Sequence, residues 1–116
     1  MRFQFRFRST QHDAGFDRAR LTRIHQTVRS AVKDAERELN GLRARLEEAR
    51  QSAALLLANM ESGDRDQSHD FKLKSVEERL LAAEKRIREL KDHLVALQRI
   101  ESAIDLELNS GNYAVP

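Results

Sequence analysis

Apolar residues climb this chain in two ladders whose steps alternate between three and four. The rungs of the first are Leu21, Ile24, Val28, Ala31, Ala35, Leu39, Leu42, Leu46, Ala49, Ala53, Leu56 and Met60. The second runs Leu73, Val76, Leu80, Ala83, Ile87, Leu90, Leu94 and Leu97, and resumes at Ile104. This spacing lays a narrow apolar seam along one side of a helix. Between the ladders, Glu61 to Asp70 contains no apolar residue. The pattern therefore predicts an all-α fold, a long antiparallel helical hairpin in one domain. Its expected parts are a strand-like arm over 1–9, helix over 13–62, an acidic turn over 63–70, helix over 71–110 and a tail over 111–116.

Local signals refine these boundaries. Asp13 is the expected cap of the first helix, with Asp17 favourable in its first turn. Gly63 is placed to end that helix in a left-handed conformation. The second helix starts near Asp70, or at Ser75, where Ser75-Val76-Glu77-Glu78 has capping-box spacing. Gly111 is its natural stop. The step from Ala35 to Leu39 follows another step of four, a stutter that locally unwinds a supercoil. Asn40-Gly41 comes next, and two weak helix formers side by side allow a bend there. A turn centred near residues 66–67 would set Ala53 against Leu80 and Ala49 near Ala83. Val32, Leu55, Leu57, Leu81, Val95 and Ile100 widen the stripe beyond two positions in seven. A wider stripe asks for more than two helices, and dimerisation into a four-helix bundle is the simplest way to supply them.

Residues 1–8 follow a different rule. Met1, Phe3, Phe5 and Phe7 alternate with Arg2, Gln4, Arg6 and Arg8, the period of a strand. A lone strand is unstable, so it must pair with Tyr113-Ala114-Val115 or with its copy in a second subunit. Phe3, Phe5, Phe7, Arg2, Arg6 and Arg8 are thus the candidate interaction residues.

Composition agrees with a thin bundle. Of 116 residues 34% are charged and 5% aromatic, and mean hydropathy is −0.69. The apolar content is periodic, which argues against disorder between the ends and the turn. No segment approaches the roughly 20 apolar residues of a membrane span, and residues 1–6 lack the apolar core of a signal peptide. Without cysteine there are no disulfides or thiolate ligands. A cytoplasmic location is the default expectation. Sixteen Arg against five Lys points, through codon usage, to a GC-rich bacterial source. The net charge of +2 hides a gradient: residues 1–30 sum to +5 and residues 61–70 to −3. Folded as a hairpin, the chain would be basic at its open end and acidic at its turn, which favours charge-complementary partners.

Catalytic and metal chemistry find little support. His25 and His93 fall about 22 Å apart along the expected hairpin, and no His-x₃-His or Glu-x-x-His pair occurs on either helix. No nucleophile–base–orienter set is brought together, and the four glycines are isolated. The expected protein is not an enzyme and holds no cofactor or metal. Nucleic-acid platforms place aromatics and cations on one surface, whereas the alternation at residues 1–8 puts them on opposite faces. No specific nucleic-acid binding is expected.

Two resemblances widen the choice of role. A long hairpin with Asp64 and Asp66 at its tip resembles the factors that enter the secondary channel of bacterial RNA polymerase. There the tip acids help to hold a catalytic magnesium. This chain shows no second globular domain. The start Met1–Arg8 followed by an Arg/Glu-rich hairpin resembles FliJ, the coiled-coil component of flagellar export, and would imply an export-apparatus component or chaperone. The reading the residues themselves support is a non-enzymatic coiled-coil adaptor, self-associating as a homodimer and presenting a rod to a protein partner.

Overall fold

The computed structural model describes residues 10–61, Gly63 and 67–110. All regular structure among them is helical: α1 spans Thr10–Glu61 and α2 spans Gln67–Leu108. The strand-like arm over 1–9, its proposed pairing with Tyr113-Ala114-Val115, and the stop at Gly111 lie outside the described residues.

Both helices begin earlier than the sequence suggested. Asp13 lies inside the first turn of α1, where it favours the positive end of the helix dipole. Helix α2 opens at Gln67 with Asp70 in its first turn, so the turn is shorter than the expected 63–70. Gly63 has φ of 96° and donates its N–H to the Met60 carbonyl at 3.3 Å. That conformation is open to glycine at little steric cost, and it ends α1 as anticipated.

Burial follows the seven-residue repeat with more regularity than the hydrophobic pattern did. On α1 the buried or half-buried seam runs Ala14, Arg18, Leu21, His25, Val28, Val32, Ala35, Leu39, Leu42, Leu46, Ala49, Ala53, Leu56 and Met60. Its steps alternate four and three throughout. Ile24 is 51% exposed, and His25 takes its place. With His25 and Val32 in the seam, the stutter before Leu39 disappears, and α1 is helical through Asn40-Gly41. On α2 the seam runs from His69 through Leu73 to Leu108, with Glu101 filling the gap between Leu97 and Ile104.

The chain divides into two compact units. The turn unit, residues 35–94, is itself an antiparallel hairpin. Ala35, Leu39 and Leu46 of α1 and Val76, Ile87, Leu90 and Leu94 of α2 form its core. Two ion pairs flank that seam, one on each side. Arg86 donates to Glu38 through Nε at 2.8 Å and Nη2 at 3.2 Å, and Arg50 lies 3.9 Å from Glu84. With seam positions lettered a and d, Glu38 and Arg86 are both g, and Arg50 and Glu84 are both e, the flanks of an antiparallel pair. This register sets Leu39 opposite Leu90, Leu46 opposite Ala83, and Ala53 opposite Val76. Ala53 does not face Leu80 as expected, because α2 starts at Gln67 and moves the turn's centre toward α1.

The terminal unit pairs residues 10–34 of α1 with 95–110 of α2. Only Ile104 and Leu108 are buried there among the described residues. Arg18 Nη1 donates to the Leu108 carbonyl at 3.0 Å, satisfying an acceptor that the end of α2 would otherwise leave open. His25 Nε2 is buried without an aligned hydrogen bond, and Asp105 Oδ1 lies 2.7 Å from it.

Leu90 has no exposed surface and Leu81 is 66% exposed. Leu90→Ala should cost about 2–5 kcal/mol in chemical denaturation, and Leu81→Ala less than about 0.5 kcal/mol. Equal losses would show that the seam is misplaced.

Candidate docking groove

On the g flank of the turn unit the two helices leave an open groove of about 530 Å³, lined by Leu42, Arg45, Glu48, Ala49, Ser52, Arg79, Ala82 and Ala83. A second hollow of about 280 Å³ adjoins it and shares Arg79, with Leu56, Phe71, Lys72, Ser75 and Val76 around it. Small side chains on both helices make the groove: Ala49, Ala82 and Ala83 fill too little space to bring the surface level with its rim. Phe71, 76% exposed, lines the second hollow, toward the turn.

The rim is electrostatically uneven. Three cations, Arg45, Arg79 and Lys72, stand against one carboxylate, Glu48. Lys72, Arg79 and Arg86 repeat at seven-residue spacing on the same helical edge, about 10 Å apart. Arg86 is neutralised by Glu38, while Arg79 and Lys72 enter no ion pair among the described residues. Arg45 folds back over Gly41, its Nη2 3.6 Å from where a Cβ would sit, so a larger residue at 41 would crowd the guanidinium. From there its charge reaches Glu38. The Glu38 carboxyl is held below its ordinary value by the hydrogen bond from Arg86, and the charges of Arg86, Arg45 and His93 add to the effect. The same hydrogen bond raises the Arg86 guanidinium.

The residues singled out from sequence are distributed differently. Phe3, Phe5, Phe7, Arg2, Arg6 and Arg8 lie outside the described residues, as do Asp64 and Asp66. His93 is exposed in the turn unit, and His25 is engaged in the terminal unit. Among the described residues no group of three or more His, Asp or Glu side chains is placed to hold a metal ion. No described helix is long and apolar enough to cross a membrane. A shallow hollow in the terminal unit is lined by His12, Gly15, Phe16 and Ala19, with the two rings edge-to-face at 4.7 Å. The groove itself was missed in the sequence. Its one linear signal, cations seven apart at Lys72, Arg79 and Arg86, means something only once the phase of α2 is known. Compared with family models, curated proteins and solved structures, the chain matches none.

The lowered Glu38 value implies a pH-dependent contribution to stability. The pairing stabilises the fold above the ordinary carboxylate range, about pH 4, and is lost as pH falls through the depressed value. Because both side chains are half exposed, the effect is small and screened by salt. Thermal melts should show Glu38→Gln less stable than the parent near neutral pH, with the difference closing in acid. A difference that persisted in acid would assign the effect to packing.

Proposed function

We propose that this chain is a non-enzymatic coiled-coil adaptor that self-associates as a homodimer and docks a protein partner along its helices. The observation that carries this reading is the chemistry of the g flank. In the turn unit Glu38 and Arg86 place an ion pair on it. In the terminal unit the g positions that face each other are Ile24 and Ile100, 51% and 49% exposed. Flanking positions of a two-stranded coil are ordinarily charged, and apolar residues there widen the stripe for additional helices. Ala31, Ala96 and Ala103 lie on the same side of their helices and permit close approach. A two-fold axis would bring this patch onto its own copy, the isologous contact by which most dimers form.

Leu57, Leu81 and Val95 are also exposed and occupy the opposite flank of their helices. They give the helices further apolar surface for a partner. The proposed function is thus contact, with the helix seams supplying stability and the flanks supplying recognition.

Sedimentation equilibrium at micromolar concentration should return twice the chain mass of 13.4 kDa. Ile24→Glu combined with Ile100→Glu should return the monomer mass without loss of helicity. A parent protein of 13.4 kDa throughout that range would remove self-association from the account.

A further inference from the structure

We propose that the groove of the turn unit is the seat of an acidic amphipathic helix from a different protein. This rests on the adaptor reading and names the chemistry of its partner. The groove follows α1 from Leu42 to Leu56, a length of about 20 Å or four helical turns. Its floor is alanine, which lets a third helix approach to the short end of the usual 8–10 Å spacing. An apolar helical stripe laid into such a channel is a recurring mode of peptide recognition.

Charge selects the occupant. Arg45 and Arg79 both line the groove; Arg45 turns toward Gly41 and Glu38, which leaves Arg79 as the cation that an entering carboxylate would meet. Lys72 stands seven residues before Arg79 on the same edge, so the complementary helix carries two carboxylates one heptad apart beside a stripe of small or apolar residues. The same charges argue against this chain's own candidates. A second copy of the groove bears the same sign, and so does a segment carrying Arg2, Arg6 and Arg8. The acidic run Glu61–Asp70 has no apolar residue with which to cover the floor. These grounds assign the groove to another chain; a second copy presenting Glu77 and Glu84 beside Leu81 would instead make self-association sensitive to Arg79→Glu.

The test uses the full-length protein and a fluorescein-labelled synthetic helix of about three heptads. One stripe of the peptide is Ala and Leu, with Glu repeated at heptad spacing beside it; a control peptide has Lys for each Glu. Anisotropy should show micromolar binding of the Glu peptide and none of the Lys peptide. Arg79→Glu should weaken binding at least about tenfold, and Glu48→Lys should tighten it several-fold, each reduced by added salt. Both positions are exposed, and unchanged circular dichroism would show that the variants fold. Equal binding of the two peptides, or an affinity indifferent to Arg79→Glu, would overturn the proposal. So would a DNA duplex that displaces the peptide at physiological salt, or a change in self-association caused by Arg79→Glu. Failure here with an intact dimer refutes the groove's occupant alone. A monomeric parent refutes self-association and leaves the peptide assay readable.

Discussion

Two helices that meet along one line can bury only two positions in every seven, and this limit governs what the chain does elsewhere. Each layer of the turn unit's core takes one residue from each helix, as Leu39 and Leu90 do. Among the described residues no third element covers a side chain that points away. The seven-residue period also restricts how the helices align. Sliding one along the other by fewer than seven residues mismatches the layers and the flanking pairs, which recur only every seven residues, about 10 Å. The seam permits several such registers, and the flanking pairs Glu38–Arg86 and Arg50–Glu84 mark the one adopted.

The seam is not apolar to its end. In the terminal unit it includes Arg18, His25 and Glu101, and each replaces a residue that would have added to the core. Arg18 closes the carbonyl end of α2 through Leu108, and His25 meets Asp105. Polar residues at seam positions lower stability and gain specificity of alignment. The flanks show a related division of labour. Where the turn unit has an ion pair, the terminal unit has two isoleucines. Where the turn unit has a groove, its rim carries cations with too few carboxylates to match them.

The fold class was legible because a repeat of three and four leaves few alternatives over so many residues. Errors arose where residue type and position disagreed. Ile24 looked like a rung because it is apolar, yet the seven-residue phase of the rest of α1 gives that place to His25. Together with Ala31 taken in place of Val32, that choice created a stutter that the helix does not have. Glu101 was passed over for the same reason. The facing pairs were displaced because the polar run Glu61–Asp70 gives no hint that α2 begins at Gln67. The groove was not legible at all: it is made by small residues and cations from two helices, and it takes shape only when their register is known.

Register is accordingly the claim to test most directly, and the absence of native cysteine makes it accessible. Leu46→Cys would be combined in turn with Ala83→Cys, Val76→Cys and Leu90→Cys, and each double variant oxidised in dilute solution. A disulfide needs Cα atoms within about 7 Å, and the second and third combinations test registers slipped by one heptad in either direction. The account predicts rapid intramolecular closure when Leu46→Cys is combined with Ala83→Cys, with the other two double variants remaining reduced. Preferential closure of either slipped combination would contradict the seam, the facing pairs and the groove together.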